Sequence, residues 1–180
     1  MQKDFKSKKN SAHSRHSRPE SEFDQELIDI ARVTRVMAGG KRMRFRAAVA
    51  LGDKKGQVGF AIAKGADVTI AINKAVVLAK KNLIKVNIVN DTIPYHIIKK
   101  YKAGKILLKP APRGTGIKAG GSVRQILVLA GINNVTSKIL GTNNKITNAL
   151  TTLAALQDLK KVEPREQKPE EKSKKEPSLK

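Results

Sequence analysis

Three groups of residues in this chain could do chemistry. The first is RGTGIKAGGSVRQ (113–125), where Gly114, Gly116, Gly120 and Gly121 fall within eight residues, ahead of an apolar stretch. Glycines so placed can cradle phosphates on backbone N–H groups. The spacing, however, matches neither common nucleotide loop. A dinucleotide loop needs G-x-G-x-x-G with an acid about 20 residues on. This one reads G-x-G-x-x-x-G-G, and no acid lies between Asp91 and Asp158. A Walker loop ends Gly-Lys-Ser/Thr, whereas Lys118 precedes the glycine pair here. Two roles remain for Gly114-Thr115-Gly116 and Gly120-Gly121. They serve tight packing against a neighbour, or a helix start whose amides meet an RNA phosphate. Arg113, Lys118 and Arg124 favour contact with phosphate or with an acidic protein surface.

The second group is the acids and histidines. Between residues 26 and 161 the acids are Glu26, Asp29, Asp53, Asp67, Asp91 and Asp158. They are scattered along the chain and make no working general acid/base pair. His13-x-x-His16 has helical metal spacing but lacks a third ligand, and a solvated tail explains it. His96 adjoins Tyr95 and has no acidic partner in sequence. Nothing here supports catalysis, a metal or a cofactor.

The third group is basic. Arg42, Arg44 and Arg46 alternate with apolar residues, which on a strand sets them about 6.8 Å apart along one face. Arg32 and Arg35 precede them, Lys41 sits in the turn, and Lys54-Lys55 lie in the next loop. Residues 30–64 contain one acid, Asp53. A merely solvated face usually mixes both signs, so this surface reads as a nucleic-acid footprint. Single-strand binders stack bases on exposed aromatics, but the body holds only Phe45, Phe60, Tyr95 and Tyr101, and the two phenylalanines fall on buried parity. No helix carries the Arg, Asn and Gln that read a major groove. Folded RNA, read by phosphate and shape, is the expected ligand. A Lys74, Lys81 and Lys85 stripe also suits a helix dipole and decides nothing.

The whole chain supports this. Its 180 residues carry 37 Lys+Arg against 15 Asp+Glu, a net charge of +22. Residues 26–161 alone carry +19, a self-repulsion that a polyanion would relieve. There is no cysteine, hence no disulfide framework. No apolar run approaches the roughly 20 residues of a membrane span, and the first residues lack a signal peptide's apolar core. A cytoplasmic location without membrane contact is expected.

The elements that position these groups follow from periodicity. Residues 1–25 and 162–180 are polar and charged and read as disordered tails; 26–92 and 93–161 read as two small domains, divided near Ile93-Pro94. In the first, LIDIARVTRVMA is a strand with imperfect alternation, and Gly39-Gly40-Lys41 turns the chain. MRFRAAVAL then alternates, with Met43, Phe45, Ala47, Val49 and Leu51 on one face. QVGFAIA is a third strand with Val58, Phe60 and Ile62 inward. Asp67 caps a helix whose buried face holds Val68, Ala71, Ile72, Ala75, Val76, Ala79 and Leu83. The second domain opens with two strands around Ala103-Gly104. The glycine loop follows, then a helix from about Ser122 to Ala130 closed by Gly131. NNVTSKILG is a strand, and Asn143 or Asn144 caps a last helix. The class is α+β: a three-stranded antiparallel sheet plus helix, then a β-α-β-α two-layer domain. A unit of about 65 residues buries only ~60% of its unfolded surface, so neither half should be very stable alone.

In order along the chain, these motifs resemble the bacterial ribosomal small-subunit protein five family. The likeness runs through Arg32-Val33, Gly39-Gly40-Lys41, Phe45-x-Ala47, Gly52-Asp53-x-x-Gly56-x-Val58-Gly59, Lys64, Asp67-Val68 and Lys74-Ala75. It continues through Gly114-Thr115-Gly116, Ala119-Gly120-Gly121-x-x-Arg124, Ala130-Gly131-Ile132, Lys138 and Gly141-Thr142-Asn143-Asn144. It covers about residues 27–156. The resemblance implies a domain like those that bind double-stranded RNA, a place where head and body of the small subunit meet, and contact with small-subunit proteins four and eight. It further implies a role in decoding accuracy, a position along the messenger RNA entry channel, and a Gly39-Gly40 hairpin tied to spectinomycin response. Ala38 stands where members commonly carry Lys, and Arg113 where an acid or Pro is frequent. Lys145, Thr147 and Leu150 replace a usual Pro, Asn and Arg, which implies loss of any RNA contact through that Arg. The expectation is a non-enzymatic ribosomal protein. The alternatives are a free double-stranded-RNA-binding regulator and, further off, a nucleotide-dependent RNA remodeller.

Overall fold

Strand pairing and helix caps arrange the chain into four layers. The computed structural model describes residues 23–159; the expectations for residues 1–22 and 162–180, His13 and His16 included, lie outside them. Asp24 and Gln25, expected in the disordered tail, instead pair with Gly52 and Leu51. The first sheet is antiparallel in the order β1 (Asp24–Met37), β2 (Gly40–Gly52), β3 (Gln57–Gly65), β4 (Leu83–Lys85). The short β4 extends the three expected strands. Gly39, at φ 82°, reverses the chain between Met37 and Gly40, a conformation that costs glycine little. Helix α1 (Val68–Lys81) starts where the Asp67 carboxylate accepts the Val68 N–H at 2.7 Å, as an N-cap does. Its Ala71, Ala75 and Ala79 bury fully against Ala47, Val49, Leu51, Ala61 and Ala63.

The other face of this sheet is also buried. Ala48, Ala50, Val58 and Phe60 pack there with residues of the second domain, so Val58, Phe60 and half-buried Ile62 do not join the α1 core as expected. Cross-strand pairs Ala48↔Ile62 and Ala50↔Phe60 put them on the face opposite Val49 and Ala61. Met43, expected on the buried face, is half exposed because the β1–β2 hairpin runs on past α1.

In the second domain, β5 (Ile97–Tyr101), β6 (Gly104–Pro110), β7 (Ile117–Lys118) and β8 (Val135–Ile139) pair in the order β5-β6-β8-β7, with β7 parallel to β8. Helices α2 (Gly121–Ala130) and α3 (Lys145–Gln157) lie between the two sheets. Asn144 caps α3, its side-chain oxygen accepting the Ile146 N–H at 3.0 Å. One core runs through this middle layer, from Ala48 and Phe60 through Ile126, Leu127 and Leu156 to Ile106 and Leu108.

Main-chain bonds close the seam. Lys54 and Gly56 N–H groups donate to the Leu129 and Ala130 carbonyls, both at 3.0 Å. The β2–β3 loop thereby satisfies carbonyls that a helix end leaves unpaired. Gly131 ends α2 at φ 84°, and a Cβ there would sit 2.2 Å from the Lys54 carbonyl oxygen. A Cβ on Gly52 would sit 2.1 Å from that of Leu129. The segment around Ile93-Pro94 is packed too: Val86 and Ile93 are buried in the shared core, and the Val86 N–H donates to Gly56 at 2.8 Å.

Candidate nucleic-acid interface

The β1–β2 hairpin beyond α1 is a two-stranded ribbon, and residues 30–46 carry six cations and no acid. Register sorts them onto two faces. Arg35↔Arg42 and Val33↔Arg44 pair on one side, and Arg32↔Phe45 and Val36↔Lys41 on the other. Lys64 joins the first face through its pairing with Arg46. Arg35, Arg42, Arg44 and Lys64 line one shallow concavity with Val33, Thr34 and Met37. All four cations are exposed, and none is ion-paired among the described residues. Four like charges in one hollow favour an anion, and arginine's planar fork matches phosphate.

Arg46 stands apart. Expected to point away from the domain, it is only part-exposed and donates to Asp29 at 3.2 Å. Asp29 also pairs with Lys145 at 3.5 Å, so Arg46 belongs to a link between hairpin base and α3. The reason is register: Asp29 lies opposite Ala48, beside the Ala31↔Arg46 pair. Lys54 and Lys55 fall in the β2–β3 loop, at the opposite end of β2 from the hairpin tip. Lys54 pairs there with Asp24 at 2.6 Å. The expected basic surface therefore separates into a hairpin group and a seam group.

The glycine loop has its own logic. Gly114 and Gly116 take φ 89° and 71°, and their N–H groups donate to one atom, Asn134 Oδ1, at 3.1 and 3.2 Å. Asn134 is buried. Its carbonyl accepts the Thr92 hydroxyl at 2.6 Å, and its N–H donates to Asp91 at 3.0 Å. These amides are turned inward, so this part of the loop offers no phosphate cradle. Thr115 is half-buried, Arg113, Lys118 and Arg124 are exposed, and Gly120-Gly121 open α2. The sequence reading missed Asn134, and its only signal was an Asn133-Asn134 pair set between Ile132 and Val135. Leu150, where the resemblance implied a lost arginine, packs half-buried against the shared core. Among the described residues no cluster of His, Cys, Asp or Glu could hold a metal.

The family model described as ribosomal protein S5, N-terminal domain, matches residues 23–87. The model described as ribosomal protein S5, C-terminal domain, matches residues 99–170. The two matches follow one another in the order of the two sheets and together span most of the chain. This protein belongs to the ribosomal protein S5 family, structural and non-enzymatic components of the small ribosomal subunit that bind its RNA and neighbouring ribosomal proteins.

Proposed function

We propose that this protein binds ribosomal RNA at the junction of head and body of the small subunit, with the β1–β2 hairpin as its principal RNA-facing element. Residues 26–92 form the RNA-facing domain, and residues 93–161 complete the wedge. The observation that carries this reading is the acid-free ribbon of residues 30–46, with Arg35, Arg42, Arg44 and Lys64 in one hollow and without ion pairs among the described residues. The wedge neutralises phosphates and holds neighbouring RNA segments in one orientation, which promotes subunit assembly in the cytoplasm. The glycine loop contacts protein, in keeping with its inward amides and exposed Arg113, Lys118 and Arg124. Small-subunit proteins four and eight are the partners that the resemblance favours. Decoding accuracy would depend on this contact, and the hairpin would face messenger RNA near the entry channel.

The test is R42E/R44E. Both side chains are exposed, so folding should be retained while incorporation into small subunits is lost. With about six phosphate contacts, wild-type protein should bind small-subunit RNA with a log–log salt slope of about −5. A double variant that folds, assembles and translates normally would refute the assignment of the hairpin.

A further inference from the structure

The second sheet has one face against α2 and α3 and one facing outward. Register identifies the outward positions. Ile98↔Leu107 and Lys100↔Lys105 pair across β5 and β6, Leu107↔Lys138 and Lys109↔Thr136 across β6 and β8, and Lys118↔Thr136 across β7 and β8. All four strands thus contribute to one surface bearing Lys100, Lys105, Lys109, Lys118 and Lys138. All five lysines are exposed. Lys99 has the opposite parity and pairs with Asp158 at the α3 side. None of the outward five is ion-paired among the described residues. Residues 92–157 contain ten Lys+Arg and no Asp or Glu, so the domain itself offers this face no counter-charge.

From this geometry we infer that the outer face of the second sheet is a second binding surface for RNA phosphates, separate from the hairpin. Lys105 and Lys109 stand about 14 Å apart along β6, and successive strands add about 4.8 Å each. The lysines therefore span a surface broad enough to follow a backbone rather than grip one phosphate. Their chemistry differs from the hairpin's. Lysine is a flexible point charge, whereas the hairpin's arginines present rigid forks. The sheet face suits tracking of phosphate without fixed geometry. Exposed Ile98 and half-buried Leu107 lie among the lysines, where aliphatic stems can cover them. The face lies at one end of the four-layer stack while the hairpin projects from an inner layer. One rigid body would thus hold two separate RNA segments.

This inference rests on the RNA-binding reading above, and the experiment separates the two. Full-length K105Q/K109Q/K138Q and R42Q/R44Q would be titrated with small-subunit RNA across a salt series, after their unfolding curves are checked against wild type. If all three lysines meet phosphates, the slope should become shallower by about 2.7 in the first variant, and the two variants combined should lose both increments. A shallower slope for R42Q/R44Q with none for the lysine variant would overturn the second surface and leave the hairpin reading standing. No change in either would overturn both. Unchanged RNA binding with lost incorporation into subunits would assign the face to an acidic protein, and would also overturn the proposal. Because the chain has no cysteine, T136C places a single tethered hydroxyl-radical source amid the lysines. RNA cleavage from that site in assembled subunits is expected, and silence there while V36C cleaves would count against the proposal.

Discussion

Replacing Gly131 by Ala should unfold this protein more readily than any comparable change in the hairpin. Two costs combine at that position. The residue holds φ 84°, and a side chain in the left-handed region costs about 1–2 kcal/mol. The added Cβ would also lie 2.2 Å from the Lys54 carbonyl oxygen, so the β2–β3 loop must retreat. Retreat weakens the Lys54 and Gly56 N–H bonds to the end of α2, each worth about 0.5–1.5 kcal/mol. The sum is about 2–5 kcal/mol. Two other glycines separate the contributions. Gly39 has φ 82° with nothing within 4 Å of an added Cβ, so Gly39→Ala should cost only the conformational 1–2 kcal/mol. Gly52→Ala carries the collision, 2.1 Å from the Leu129 carbonyl oxygen, without positive φ, and should cost about 1–3 kcal/mol by overpacking.

Urea unfolding would measure all three. With m near 2 kcal/mol/M, the Gly131→Ala midpoint should fall by about 1–2.5 M and the Gly39→Ala midpoint by about 0.5–1 M. Because one core serves both sheets, each curve should show one transition by far-ultraviolet circular dichroism and by a probe on the second sheet. Equal midpoints for the Gly131 and Gly39 variants, or separate transitions for the two sheets, would refute the argument that the seam holds the halves together.

Two further outcomes follow from the side-chain links. Asn134→Ala leaves the Gly114 and Gly116 amides without their acceptor, at about 0.5–1.5 kcal/mol for each part-buried bond lost. Hydrogen exchange should quicken at those two amides, while Asn134→Asp, which keeps an acceptor, should protect them. Arg46→Gln should leave the salt slope for RNA nearly unchanged, because Asp29 engages the guanidinium. A drop as large as that of Arg42→Gln would return Arg46 to the RNA-facing group.

What could be read from the sequence was whatever one strand or helix shows by itself. The Asp67 cap, the alanine stripe of α1 and the hairpin turn are local, and the structure has them. Imperfect alternation in LIDIARV was legible without its cause, a register shift between Leu27 and Asp29 that puts Ile28 in the shared core. A β-bulge does this by setting two residues against one. Ala48 and Ala50 continue the parity of Arg42, Arg44 and Arg46 along β2. They are both fully buried, because alanine is what a sheet face can carry when helices pack closely on it. Arg46 could not be told from Arg44 by parity, since its partner enters through the register of another strand. The outward lysines are spread over residues 100–138, and only the pairing of four strands gathers them.

These long-range pairings also decide how the molecule can act on RNA. Domains joined by a modest polar interface move relative to one another by default, and a wedge that bends would not fix the angle between two RNA segments. Here the middle helices are buried by both sheets, and the end of α2 is bonded to the β2–β3 loop of the other domain. Glu26 accepts from Gln125 at 3.0 Å, and Asp29 from Lys145 at 3.5 Å, so β1, which carries the hairpin, is tied to both helices. Bending at the seam would expose core side chains such as Phe60, Ile126 and Leu127, at roughly 1.5–3 kcal/mol for each one fully uncovered. Thermal motion does not supply several such terms at once. The hairpin and the lysine face therefore keep a fixed separation, and if both bind phosphates as proposed, each contact made by one would constrain where the other can bind.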